Sequence, residues 1–424
     1  MVNTEHVLEQ MRAANPAPSL EQLAADDLHL VRDIVARVRL ALPTPVEEQP
    51  QMRPDRLGRR WRMHPVLVTG LASILVLATL GGALLLVRGS DGEPATGGFT
   101  CPSGSTPDQP GPVDQPRPPQ GDFGYTTFDP GSGRVLMITD DKGFWTFDVC
   151  TNTWAKAPPA PGDIGWVSDF VYDVDSARAI TFGFRHSFGF DEGLGVVAYV
   201  WAYEPDGQTW TAKRTLVVRS AGPDTPHVLK AAYDPATGLV VVHEQAMAVM
   251  WTYDVDTDTW AEIDRADWPW PEALTYDPFL TYDASVDRLV VYHSGDSTWE
   301  FDIRAGRWER HLSETLELAH QGFGWAPTGE EFVYDEANEV SVFFDGSGVW
   351  TYDASEHRWS EVEIHTMRLY ADDARRGGSA VPPMTYDPVN ERIVMISGDN
   401  YPWPGVIAHD VATGEWTTLL EPTH

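Results

Sequence analysis

The sequence predicts an all-β domain of six four-stranded repeats, preceded by a single transmembrane helix and a short helical tail. Three observations predict it. First, an aromatic-Asp pair recurs at Phe128-Asp129, Tyr172-Asp173, Tyr233-Asp234, Tyr282-Asp283, Tyr334-Asp335 and Tyr386-Asp387. Second, each pair is followed by a strand-like run and a second acid, at Asp148, Glu204, Asp254, Asp302, Asp353 and Asp410. A Trp then follows six residues on, at Trp154, Trp210, Trp260, Trp308, Trp359 and Trp416. Third, residues 65–87 hold no charged side chain. A repeat of about 50 residues built from short strands is the mark of a β-propeller blade. An uncharged helix of that length spans roughly 35 Å, enough for a bilayer core.

The segments follow in chain order. Residues 1–63 form the tail. Ser19 and Gln22 make a capping box, and Leu20, Leu23, Ala24, Val31, Ile34, Val35, Val38 and Leu42 recur at helical spacing until Pro43 closes the run. An amphipathic helix over about 19–42 cannot bury its stripe alone, so a cytoplasmic protein partner, self-association or the inner leaflet is expected to cover it. The span occupies 64–88. Arg53, Arg56, Arg59, Arg60 and Arg62 precede it, while only Arg88 follows before Asp91 and Glu93. That bias keeps the N-terminus cytoplasmic and places the repeats outside the plasma membrane. Residues 89–121 read as a linker, extended and stiff where seven Pro fall between Cys101 and Gly121. Residues 122–424 are the repeats.

Within each repeat the first Asp closes one strand. An Arg follows five residues later at Arg134, Arg178, Arg288 and Arg392, placed to pair with that Asp across the hairpin. A β-branched run such as Leu289-Val290-Val291-Tyr292 makes the second strand. The third carries a Trp at Trp145, Trp201, Trp251, Trp299 and Trp350, and the fourth holds the closing Trp. Spacing between first acids is close to regular except for an insertion around 185–195. A second Tyr276-Asp277 occurs in repeat four; Tyr282-Asp283 is the better choice because Arg288 then falls in register. The repeated Asp accepts backbone N–H bonds in the next turn, and the Trp residues supply packing between blades.

This pattern resembles the kelch repeat, in the broad sense that includes the galactose oxidase propeller. The resemblance covers roughly 300 residues and rests on the six-fold aromatic-Asp and Trp element. It departs from the family at the end of the second strand, where single glycines (Gly183, Gly295, Gly346, Gly398) stand in place of a pair.

Charge is divided unevenly. The net charge is -33. Residues 1–63 balance nine basic against nine acidic side chains, which leaves 21 basic and 54 acidic residues for the rest of the chain. Nucleic acid is therefore excluded as a partner of the exported part, whereas neutral glycans and proteins are not. Both cysteines, Cys101 and Cys150, fall on the exported side, where an oxidising compartment favours a disulfide between them.

In a four-stranded blade the 1–2 and 3–4 turns share one face, and the longer connections share the other. The short Asp turns make the first face a frame. Trp166, Trp268, Trp270, Trp325 and Trp403 all fall on the long-loop face, where they are candidates to stack on sugars or bury a peptide side chain. Catalytic chemistry has weaker support. The position five before each closing Trp holds Val149, Pro205, Val255, Ile303, Ala354 or Val411, which excludes the Asp box of a sialidase. A copper site like that of galactose oxidase is disfavoured because Cys150 lies on the opposite face. His186, His227, His243, His293 and His320 are scattered and read as solvated loop residues. No catalytic residue, metal or cofactor is expected. The chain reads as an extracytoplasmic binding module for a protein or glycan, with a carbohydrate-active or oxidative enzyme as the alternative.

Overall fold

The computed structural model describes residues 99–118, 124–139, 141–185, 196–218, 229–244, 249–263, 279–292, 297–312, 332–344, 349–362, 382–397 and 405–421. The apolar stretch 65–87 and the tail helix 19–42 lie outside these residues.

The repeats fold as a six-bladed β-propeller. Blade 1 comprises β1 (Gly124–Asp129), β2 (Arg134–Thr139), β3 (Phe144–Asp148) and β4 (Thr153–Ala157). Blade 2 comprises β5 (Trp166–Asp173), β6 (Arg178–Arg185), β7 (Val196–Glu204), β8 (Thr209–Ala212) and a short β9 (Leu216–Val218). Blade 3 holds β10 (Leu229–Asp234), β11 (Leu239–Glu244), β12 (Val249–Asp254) and β13 (Thr259–Glu262). Blade 4 holds β14 (Phe279–Asp283), β15 (Arg288–Tyr292), β16 (Ser297–Asp302) and β17 (Arg307–Leu312). Blade 5 holds β18 (Phe332–Asp335), β19 (Val340–Phe344), β20 (Val349–Asp353) and β21 (Arg358–Val362). Blade 6 holds β22 (Met384–Asp387), β23 (Arg392–Ser397), β24 (Gly405–Asp410) and β25 (Glu415–Leu420). In every blade four strands run as an antiparallel meander in chain order, and only β9 lies off that path. The innermost strands β1, β5, β10, β14, β18 and β22 each touch the next, and β22 touches β1, so the ring closes.

Blade 2 departs from the four-strand expectation. Strand β7 outruns β8 by several residues, and β9 pairs with its overhang at Val196, Val197 and Ala198. The extra strand covers an edge that would otherwise present unpaired backbone groups. Gly183 is required in this blade, because a Cβ there would sit 2.2 Å from the Ile164 carbonyl oxygen.

The repeat register is as the sequence implies. Asp129, Asp173, Asp283 and Asp387 lie directly opposite Arg134, Arg178, Arg288 and Arg392. The choice of Tyr282-Asp283 is confirmed by that pairing. Arg392 pairs with its own Asp387 at 3.3 Å, but Arg288 turns instead to the second acid, Asp302, at 3.3 Å. Each aspartate of the two sets caps its turn. Asp173 Oδ1 accepts the Asp175 and Ser176 N–H groups, and Asp335 Oδ1 accepts those of Ala337 and Asn338. The fourth residue after every acid is left-handed, at Gly133, Ala177, Gly238, Asp287, Glu339 and Glu391 in the first turns. The 3–4 turns repeat this at Asn152, Gln208, Asp258, Gly306, His357 and Gly414.

There is no single core. Six apolar clusters lie one at each interblade seam. Both faces of a blade are therefore buried, which is why β11 (LVVVHE) and β23 (RIVMIS) read as continuous apolar runs rather than alternating ones. The seam between blades 4 and 5 is the most aromatic. Tyr292, Phe343 and Trp359 interlock there with ring centroids 5.0–6.3 Å apart. His243, expected as a solvated loop residue, is instead buried in β11 at 2% exposure. The apolar run carries it into the blade.

Candidate ligand-binding cavity

A cavity of about 360 Å³ occupies the centre of the ring and is lined by all six innermost strands. The aromatic residue of every aromatic-Asp pair lines it: Phe128, Tyr172, Tyr233, Tyr282, Tyr334 and Tyr386. The residue after each Asp, such as Pro130, Pro235 or Pro388, also lines it, so the cavity reaches the short-turn face. Asp169, Lys230, Glu336, Thr127, Thr281 and Thr385 add polar atoms to a wall made mostly of aromatic and apolar residues. Among the described residues no histidine or cysteine lines it.

The phenols have a second task. Each reaches the acid turn of the preceding blade. The Tyr172 hydroxyl bonds to the Asp129 carboxylate, and Tyr233 faces Asp173 and Asp175. Tyr282 donates to Asp287 Oδ1 at 2.5 Å and also reaches Asp234. Tyr334 meets Ser285 beside Asp283, and the Tyr386 hydroxyl accepts the Ala337 N–H at 3.1 Å. Burial and the adjacent carboxylates hold these phenols well above their ordinary pKa, Tyr334 at about 12. They stay protonated at neutral pH. Burial likewise raises Asp173, Asp234, Asp283, Asp335 and Asp387, against the opposing pull of their turn hydrogen bonds.

Blade 1 breaks the ring. Phe128 has no hydroxyl to offer Asp387 of blade 6. There Arg392, at 6% side-chain exposure, takes the place of the phenol. A strap formed by residues 99–117 lies over the same seam. Arg392 donates to Pro107 O and to Asp108 Oδ1, each at 3.2 Å. The Gly111 N–H donates to Leu419 O at 2.8 Å, and Arg117 donates to Glu421 O at 2.5 Å. On the blade 1 side Asn152 donates to Pro107 O and Gln109 O, and the Trp154 N–H donates to Gln115 Oε1. The Cys101–Cys150 disulfide, with Cα atoms 5.3 Å apart, fixes the strap to the β3–β4 turn. Contact is close, since a Cβ on Gly111 would lie 1.9 Å from Asn152 O.

The tryptophans singled out on the long-loop face are not brought together within the described residues. Trp166 opens β5 and is 68% exposed. Trp268, Trp270, Trp325 and Trp403 lie outside the described residues, as do His186, His227, His293 and His320. The cavity therefore lies where the sequence suggested only frame. The signal for it was present in the phrase itself, as a Tyr before five of the six acids and a Phe before the other.

Fold and cavity together define a six-bladed β-propeller with an aromatic-walled central cavity. No family model matches the chain, and no curated protein sequence matches it. Among solved structures it is similar to a structural genomics protein of unknown function from Bacteroides thetaiotaomicron, at 15% identity and a TM-score of 0.45, covering 68% of this chain and 72% of that one. It is also similar to an auxiliary nutrient binding protein from Bacteroides ovatus, at 14% identity and a TM-score of 0.43, covering 66% and 68%.

Proposed function

We propose that the chain is an extracytoplasmic binding module, held in the plasma membrane by residues 65–87, whose propeller receives a sugar ring or a peptide side chain. The observation that carries this reading is the cavity, to which every blade contributes an aromatic residue. Aromatic faces and threonine hydroxyls suit a ligand with one apolar face and a few polar edges. Trp166, Trp268, Trp270, Trp325 and Trp403 extend the reading to a second contact surface on the long-loop face. The tail around 19–42 then passes occupancy to a cytoplasmic partner. A kelch-like ancestry, read from the six-fold phrase, belongs to the same proposal.

An enzymatic reading has less support. Of the two carboxylates that line the cavity, Asp169 spends both oxygens on the Phe170 and Ala231 N–H groups, which leaves it poorly placed as a general base.

Glycan and peptide arrays probed with residues 99–424 test the reading. Lys230→Met and Trp166→Ala are probed alongside. We expect a ligand whose binding falls severalfold with Lys230→Met. Binding indifferent to both substitutions would refute both contact surfaces.

A further inference from the structure

The apolar seam between blades 4 and 5 contains one charged side chain that the packing does not explain. Glu300 sits in β16 at 3% exposure. Two residues before the second acid, the other repeats carry Thr146, Ala202, Thr252, Thr351 and Ala408, all small and uncharged. Two imidazoles meet this carboxylate. His311 comes from β17, directly opposite Thr298. His357 comes from the left-handed position of the β20–β21 turn in the next blade. His357 Nδ1 lies 3.0 Å from Glu300 Oε1, and His311 Nε2 lies 3.6 Å from Glu300 Oε2. The rings stack with centroids 3.6 Å apart and planes 6° apart. Tyr352 donates to Glu300 Oε1 at 2.7 Å.

We propose that Glu300, His311 and His357 form a binding site for a divalent transition metal of the zinc class, bridging blades 4 and 5. Among the described residues this is the group whose donor atoms all lie within 4.8 Å of one another. The donor spacing suits the ion, although the two rings must turn out of their parallel stack for both nitrogen lone pairs to meet it. Ligands at about 2.0–2.1 Å from a tetrahedral zinc are separated by roughly 3.3 Å, and the 3.0 and 3.6 Å contacts bracket that value. Two imidazoles and a carboxylate are the donor set such ions prefer over Ca²⁺ or Mg²⁺. Tyr352 supplies the outer hydrogen bond that orients a ligating carboxylate. His357, with a side chain 43% exposed, gives the ion a route from solvent and leaves a fourth position for water.

Glu300 is 3% exposed, and a dication held between it and the two imidazoles would sit against a carboxylate that has little access to water. The ligands come from two blades, so the ion would also pin a seam whose remaining contacts are aromatic.

The test uses tag-free full-length protein in a non-coordinating buffer. Zn²⁺ is titrated by calorimetry, and Co²⁺ by its visible absorption, which reports tetrahedral nitrogen–oxygen coordination. We expect one ion per chain and affinity lowered roughly tenfold or more in both His357→Ala and His311→Gln. His357→Ala touches an exposed turn and folds as the parent does. Its far-UV circular dichroism checks this. His409→Gln serves as a control that keeps the site. Absence of a single-ion phase in the parent protein, or unchanged binding in both site variants, would overturn the proposal.

Discussion

The seam between blades 6 and 1 differs from the other five in two ways. The polypeptide runs across each of the five, passing from one blade's outer strand to the next blade's innermost strand. It does not run from blade 6 to blade 1. Each of the five also carries a tyrosine whose hydroxyl lands on the preceding acid turn, whereas this seam has Phe128. What replaces both is a set of longer-range devices: a buried Arg392–Asp387 pair, a strap across both blades, and a disulfide. Closing a ring between chain ends costs conformational entropy that a connected seam has already met. A cross-linked strap reduces that cost, because the unfolded chain is constrained as well. The cavity depends on the same residues, since the tyrosines that staple the seams also form its wall.

The sharpest way to break the comparison is Arg392→Met. It leaves the buried Asp387 with its Val389 and Asn390 donors but no counter-charge, and we expect a loss of up to about 3 kcal/mol in chemical denaturation. Tyr386→Phe, in a connected seam, serves as the reference. Removing the disulfide with the Cys101→Ser, Cys150→Ser pair should cost about 4 kcal/mol for a sequence separation of 49. A melting temperature that does not move would show that the strap contributes nothing to closure.

A pH experiment distinguishes blade 6 from its seam. His409 is buried in β24 against Trp416, with Asp410 and Glu415 nearby, and burial lowers its pKa to about 4. A depressed histidine pKa contributes fully above its unfolded value of about 6.5. The contribution is lost as pH falls from there toward 4, by roughly 3 kcal/mol in all. The turn aspartates act oppositely, because their raised folded values favour proton uptake by the native state. The difference between the parent and His409→Phe across this window isolates the histidine. Parallel pH profiles would refute its burial. The smallest effect is expected for Tyr172→Phe, about 1 kcal/mol for a lost hydrogen bond, with the cavity wall kept.

The frame was readable because its physics is local. An acid that caps a turn and a Trp at fixed distance fix the four-strand plan, the register and the choice of Tyr282-Asp283 without tertiary information, though not the extra β9 of blade 2. The left-handed position four after each acid shows in the sequence only at Gly133, Gly238, Gly306 and Gly414. Elsewhere residues such as Ala177 and Glu391 accept the strained conformation, held by the acid's own hydrogen bonds. The cavity was harder to see. A tyrosine repeated five times looks like packing until the ring places the copies around one axis. The cluster of Glu300, His311 and His357 was hardest, because its members come from two repeats. Its trace was a charged residue in a slot that holds Thr or Ala in the other five. The strap over the last seam left two marks, the lone cysteine pair and Phe128 in place of tyrosine.

Hydrogen exchange on oxidised and reduced protein tests the closure account most directly. If the strap closes the ring, reduction of Cys101–Cys150 should raise amide exchange in β1–β4 and β22–β25 and leave β10–β17 unchanged. Equal exchange in the two states, or a rise spread evenly over all six blades, would contradict it.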